Sequence, residues 1–298
     1  MAHSTTITLR RGFRAMGTHV ELVLDAGPHR DAAGALLSGE REVRRLEALL
    51  SRFRPDSELS RLNASGRMAV GPDLLALTRT ALAERERTGG RFDPTVHEAM
   101  VAAGYDRTFE EVPRDGEAPG LPAHPCGGHV HVDERSGIVT LDPGVLLDLG
   151  GIAKGYAADR VADILAAAGP ALASVGGDIA VRGPRIGGPW TVGVATGGAP
   201  LTLALEGGAL ATSGRDRRWW TRGGHRMHHI IDPSTGEPAH TDLLRVTVVA
   251  HCGTRAEATA KALMISGAPA ARREADALGI PCVLVGMDGS TTLAGGLT

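Results

Sequence analysis

Val145-Leu146-Leu147-Asp148-Leu149-Gly150-Gly151-Ile152-Ala153-Lys154-Gly155-Tyr156-Ala157-Ala158-Asp159 is the stretch on which the reading of this chain turns. It opens with a short apolar run that predicts a strand. Gly150-Gly151 makes a turn, and a helical pattern follows with Ala157, Val161, Ile164, Leu165 and Ala168 on one face. Gly169-Pro170 ends that helix. Lys154 falls in the first turn, where the helix dipole disfavours a cation. An anion docked there reverses the cost, because free backbone N–H groups and the ammonium both face it. Strand, glycine turn, helix and lysine together read as a phosphate seat. A tight strand-to-helix turn with a solvated lysine is the plainer reading, and short glycine motifs alone do not separate the two.

Outward from this stretch, residues 7–9 and 18–24 alternate like the strands of a hairpin around Ala15-Met16-Gly17-Thr18. Residues 38–50 predict a helix with Val43, Leu46, Leu49 and Leu50 on one face, and Ser57 is placed to cap a short second one. A third helix is predicted over 72–88, with Pro72 in its first turn and Gly89-Gly90 beyond its end. Phe92-Asp93-Pro94-Thr95 then leads into a short helix carrying Val96, Met100 and Val101. Residues 106–128, rich in proline, glycine and acid, read as a long mobile loop or insertion. Residues 129–133 and 138–142 form a hairpin around Glu134-Arg135-Ser136-Gly137. Beyond the central helix, strands are predicted at 172–175, 178–182, 190–194, 201–205, 228–231, 245–250 and 282–285. Helices are predicted at 256–266 and 270–278. Strands outnumber helices and often sit in hairpins, so the class expected is α+β with largely antiparallel sheets and packed helices.

The 298 residues, 42% hydrophobic, give a globular chain that we read as a single domain over 1–298. A formal net charge of -2 offers no electrostatic case for nucleic acid or an anionic membrane, and 3% aromatics leave little for a base-stacking surface. No apolar run approaches about 18 residues, so no membrane segment is expected. Residues 1–8 carry neither a signal-peptide core nor a lipobox, so the expected compartment is the cytoplasm. Cys126, Cys252 and Cys282 have no metal-like spacing.

Several side chains have the chemistry for a site. Asp148 ends a buried-looking run, where a carboxylate needs a partner, either a ligand or the following turn. Ser174-Val175-Gly176-Gly177-Asp178 is a second strand-to-glycine turn, and Ala211-Thr212-Ser213-Gly214 reads as a small-residue loop rich in hydroxyls. In His228-His229-Ile230-Ile231-Asp232-Pro233-Ser234-Thr235-Gly236 the tail has the residues of a type I turn, which makes Asp232 structural. His229 reads either as a base or as a satisfied structural histidine. No Cys/His metal cluster, G-x-S-x-G or G-x-x-x-x-G-K-[ST] is present, and no G-x-G-x-x-G opens a βαβ unit.

Taken together, the segments resemble the ApbE family of flavin transferases. The matching pieces are Met16-Gly17-Thr18, the run from Phe53 to Asn63, Gly90-Arg91-Phe92-Asp93-Pro94-Thr95 and the stretch from Asp148 to Asp159. Val175-Gly176-Gly177-Asp178, Ala211-Thr212-Ser213-Gly214, the run from His229 to Gly236 and the segment from Ala256 to Gly267 complete the set in family order. The resemblance implies a T-fold-related α+β architecture. It also implies a reaction: FAD is cleaved at its pyrophosphate, FMN is joined by a phosphoester to a Ser or Thr of an acceptor flavoprotein, and AMP leaves. Mg²⁺ bridges the phosphates in the family. Carried over by motif, Met16, Phe53, Phe92, Asp93, Asp148, Lys154 and Ile230 line the FAD site. The Gly151 carbonyl faces the metal, and His229 has the catalytic role.

One segment departs from the family. Its metal motif, Ala-Asp-Ala-x-Ala-Thr-Ala, meets Ala256-Glu257-Ala258-Thr259-Ala260-Lys261-Ala262 here. Glu257 takes the Asp place and Lys261 the Thr ligand place, which puts an ammonium where the metal sits. Sliding the match to make Thr259 the ligand puts Arg255 at the carboxylate. The metal shell is incomplete either way. An FAD-binding protein and an FAD pyrophosphatase with a degenerate metal site are therefore the alternatives. The expectation we carry forward is that Lys261 partly substitutes for the cation, paired with Glu257 one helical turn away.

Overall fold

Eight strands build the sheet at the centre of the computed structural model. In spatial order they are Ile7–Ala15, Thr18–Ala26, Ala171–Val175, Asp178–Arg182, Gly208–Gly214, Leu243–Ala250, Cys282–Gly286 and Thr291–Ala294. Every neighbouring pair is antiparallel. The structure describes residues 7–27, 30–118, 120, 125–185 and 187–297.

Both faces of the sheet are covered, which explains the near-continuous apolar runs of its inner strands. In Thr18–Ala26, Val20, Leu22 and Leu24 point to one side and Val23 to the other. The first side packs against the helices Ala32–Leu50 and Ala153–Ala166, with Val43, Leu46, Val161 and Leu165 fully buried. The second side is roofed by the hairpin Trp190–Val194 with Leu201–Leu205, which joins Val181, Leu210, Val283 and Val285 in one cluster. At the far end the helix Gly253–Ser266 buries Ala260, Leu263 and Met264 against Val246, Val248 and Leu284.

Two helices meet at backbone contact. A Cβ built on Gly155 would lie 2.4 Å from the Gly253 oxygen, and one on Gly253 would lie 2.5 Å from the Gly155 oxygen. Only glycine permits this approach, and it brings the N-termini of Ala153–Ala166 and Gly253–Ser266 together. Asp159 seals the junction by accepting from the Gly253 N–H at 2.7 Å.

The predicted strand over 145–149 is corrected: the segment is irregular. Its backbone partners come from elsewhere, which is why an apolar run sits there without a sheet. The Asn63 amide accepts from the Leu147 N–H and donates to the Leu147 carbonyl, both at 2.9 Å, and the Asp148 N–H donates to the Pro94 carbonyl at 2.8 Å. The small-residue loop at Ala211-Thr212-Ser213-Gly214 is also corrected: it is the end of a central strand, Gly208–Gly214. Thr212 pairs across the sheet with Thr247, hydroxyl to hydroxyl at 2.9 Å. The strand over 228–231 is split between His225–His228 and Ile231–Asp232.

The long loop read over 106–128 carries the turn Phe109–Glu111. Its backbone bonds the neighbouring hairpin, with Thr221 donating to Arg114 and Gly223 to Gly116. Val112 is buried with Tyr105, Trp220 and Met227, and Phe109 and Cys126 pack against them. Residues 119 and 121–124 of that loop lie outside the described residues.

Candidate active site

A cleft of roughly 670 Å³ opens on the sheet beside the N-terminus of Ala153–Ala166, with Lys261 and Ile265 of Gly253–Ser266 on its wall. Met16, Phe53, Phe92, Asp93, Asp148, Gly151, Lys154, His229, Ile230 and Lys261 all line it. Glu257 lies behind the wall, 1% exposed in its side chain and joined to the cleft through Lys154 and Lys261.

The charge cluster is the centre of the site. The Lys154 ammonium donates to Asp178 Oδ2 at 2.5 Å and to Glu257 Oε1. Lys261 donates to the same Glu257 oxygen at 3.2 Å, and the Gly155 N–H donates to Glu257 Oε2 at 2.9 Å. Asp178 Oδ1 accepts from the Thr212 N–H at 3.3 Å. Burial by itself disfavours every one of these charges. Asp178 and Glu257 nonetheless hold the Lys154 pKa above its ordinary value, and Lys154 and Lys261 hold the Glu257 carboxyl well below the usual range, while burial prevails at the other two and pushes Asp178 up and Lys261 down. The solvated-lysine reading of Lys154 is thereby set aside: two carboxylates hold the ammonium, and one of its three N–H donors stays free of them.

Asp148 caps the following turn, one of the two readings offered by the sequence. Its Oδ1 caps its own turn through the Gly150 N–H at 2.7 Å, while Oδ2 pairs with Arg52 at 3.0 Å on the cleft wall. Arg52 is itself fixed, donating to the Tyr105 carbonyl at 2.6 Å. Its guanidinium lies over the Phe53 and Tyr105 rings at 4.2 and 4.7 Å. Asp93 makes a local turn, accepting from the Thr95 N–H and hydroxyl at 2.8 and 2.7 Å. Met16 and Gly17 are the two central residues of the first hairpin, with φ of 52° and 62°. Positive φ at both is the mark of a type I′ turn, strained at Met16. The Met16 N–H is tied to Glu47 at 2.5 Å.

The adjacent histidines behave differently. His228 is 2% exposed; its Nδ1 accepts from the Ile230 N–H at 3.3 Å and its Nε2 faces the Ala239 carbonyl at 3.2 Å. That ring bridges the Ile230 N–H and the Ala239 carbonyl, beside the backbone bond from the Ala239 N–H to the Ile230 carbonyl. Burial, with Arg215 nearby, lowers its pKa to about 4. His229 turns toward the cleft, and its Nδ1 is buried with no hydrogen-bond partner among the described residues. Burial, then Arg218 and Lys261, push its pKa well below the ordinary value, so the imidazole is neutral.

His228 carries a pH prediction. Its folded pKa of about 4 lies below the ordinary 6.5. Between those values the unfolded chain binds a proton that the folded chain refuses. Stability present above pH 6.5 is therefore lost as pH falls toward 4, by up to about 3 kcal/mol. Urea unfolding at neutral pH and near pH 4.5 should show the loss, and His228→Gln should reduce it. An equal loss in the variant would remove His228 as the source.

The ApbE family model matches residues 16–284. The chain belongs to the ApbE family. Among its ApbE relatives, the FAD:protein FMN transferase of Treponema pallidum is 36% identical over 251 residues, covering 74% of this chain and 68% of that protein. The FAD:protein FMN transferase of Escherichia coli is 28% identical over 308 residues, covering 97% and 87%. The crystal structure of the ApbE protein of Thermotoga maritima superposes with a TM-score of 0.86 at 28% identity, covering 97% of both chains. The α+β fold with its large antiparallel sheet is thus an ApbE fold.

Within this ApbE site the register of the departing motif is resolved. Thr259 donates to the Arg255 carbonyl and accepts from Arg87, and Arg255 pairs with Glu84, all beside the Pro72–Arg87 helix. Glu257 and Lys261 are the pair directed to the cleft. The residues do not fit a divalent metal. Both Glu257 oxygens already accept from donors of the protein, Lys261 supplies donors only, and no group of three or more His, Cys, Asp or Glu side chains among the described residues is arranged to hold an ion. The sequence reading gave no role to Asp178, Arg52 or Glu47. Asp178 had a signal in its place directly after Gly176-Gly177; Arg52 and Glu47 had none beyond proximity to matched segments.

Proposed function

We propose that the cleft binds FAD and that this chain is a flavin transferase, passing FMN to the hydroxyl of a Ser or Thr on an acceptor flavoprotein. The observation that carries this reading is the convergence of one helix N-terminus, two lysines and a histidine whose Nδ1 has no partner among the described residues on one cleft. A helix N-terminus and two ammonium groups suit a pyrophosphate, and the apolar walls at Phe53, Phe92 and Ile230 suit an isoalloxazine ring.

The chemistry asked of the protein is positioning and charge neutralisation. The incoming hydroxyl oxygen bonds to the phosphorus of the FMN half. The bond from that phosphorus to the bridging oxygen breaks, and AMP leaves with that oxygen. The hydroxyl proton passes to the imidazole of His229, whose Nδ1 is a buried acceptor of the wall without a partner among the described residues. Lys154 and Lys261 meet the charge developing on the phosphate oxygens. In the family Mg²⁺ supplies that neutralisation; here no step is routed through it, because the donor set does not fit.

Incubation with FAD and a candidate acceptor, followed by in-gel flavin fluorescence and mass analysis of the acceptor, tests the reading. FMN on a Ser or Thr is expected. Free FMN and AMP without labelled acceptor would identify a pyrophosphatase and overturn it.

A further inference from the structure

We propose that Lys261, held with Lys154 on the buried carboxylates of Glu257 and Asp178, takes the place of a divalent cation at the FAD pyrophosphate, so that this chain binds FAD without metal. This rests on the reading of the cleft as an FAD site.

Three observations carry it. The cluster is complete in itself, because two ammonium groups face two carboxylates that are 1% and 2% exposed, so no external cation is needed to neutralise them. The space is already taken, because the Lys261 stem packs against the Gly151 turn, its Cε lying 3.1 Å from where a Gly151 Cβ would stand, and its ammonium ends on Glu257. Those are the two residues between which the family arrangement would seat an ion. Finally, Lys261 has donors to spare. It lines the cleft with a single protein partner among the described residues, which leaves two of its three N–H groups for a ligand. An ammonium is a compact point charge suited to phosphate oxygens, with half the charge of a divalent ion. The two changes in the motif also fit each other. A carboxylate longer by one methylene reaches Lys154 and Lys261 together, and a lysine replaces the hydroxyl that would have been a ligand.

Calorimetric titration of FAD into EDTA-treated protein, with and without added Mg²⁺, decides the matter. Affinity should differ by less than about threefold between the two conditions, within the range of ordinary screening effects. Lys261→Gln, confirmed as folded by its melting curve, should lower FAD affinity by about tenfold or more and leave riboflavin, which lacks phosphate, unchanged. The double variant E257D/K261T should acquire a dependence on Mg²⁺. A tenfold or larger gain in FAD affinity with Mg²⁺ in the unaltered protein overturns the inference and leaves the cleft reading intact. So does equal weakening of FAD and riboflavin in Lys261→Gln, or metal indifference in the double variant. Absence of FAD binding under both conditions overturns the cleft reading and this inference with it.

Discussion

His229→Ala is expected to slow FMN transfer by about 10²-fold while FAD affinity stays within a few-fold, the size of effect a positioned general base supplies. The geometry separates the two quantities. Among the described residues its Nδ1 has no hydrogen-bond partner, so its loss strands no neighbour there, and the ring lines the wall beside Ile230. Single-turnover transfer to an acceptor and calorimetry with FAD measure the two effects independently. The depressed pKa adds a second signature. A histidine already neutral well below its ordinary range gives a transfer rate with no inflection as pH falls through about 6.5. A variant that transfers at the parental rate would return His229 to the structural role the sequence also allowed.

Glu257→Ala should produce the largest loss of stability of any single change at the site, about 3–5 kcal/mol in urea unfolding. That is the cost of removing one partner from a buried ion pair. The carboxylate is 1% exposed and takes three donors: two ammonium groups and the Gly155 N–H. Its removal leaves Lys154 facing Asp178 alone and Lys261 facing nothing, with an unsatisfied backbone donor where the two helices touch. Glu257→Gln retains the shape and one acceptor, so it should lose less. If Glu257→Ala costs under about 1 kcal/mol, water reaches the cluster and the lysines are more solvated than the geometry indicates.

How much of this was legible in the sequence varies by element. The first hairpin, the helix Ala153–Ala166 and the outer hairpin Trp190–Val194 with Leu201–Leu205 follow from periodicity and turn residues, because each is a local arrangement. The segment 145–149 failed because an apolar run reports burial, not pairing, and the pairing groups are the side chain of Asn63 and the carbonyl of Pro94. Ala211-Thr212-Ser213-Gly214 failed for the opposite reason. Small polar residues suggest a loop when read alone, yet a central strand pressed by a helix has little room for large ones. At the site, the motif resemblance reached the cleft residues in advance. The position of Lys154 between Asp178 and Glu257 was out of reach, because nothing local in the sequence says which of two carboxylates, 24 and 103 positions away, an ammonium will meet.

Those separations bear on how the molecule comes into being. The Gly155–Glu257 bond closes a span of 102 residues, and Arg218 reaches back across 201 to the Gly17 carbonyl in the first turn. On a growing chain the first hairpin can zip as soon as it emerges, but its inner strand waits for Ala171–Val175 to gain a neighbour. The cleft floor waits longer still, for Gly253–Ser266. Native contacts this distant in sequence slow folding, and they leave strand edges bare in the interval. A nascent or truncated chain ending before residue 253 therefore has Lys154 without Glu257, and no seat for a flavin. The wall of the cleft is thus complete only in a chain that extends past Lys261, and the open sheet edges of a shorter one stay bare.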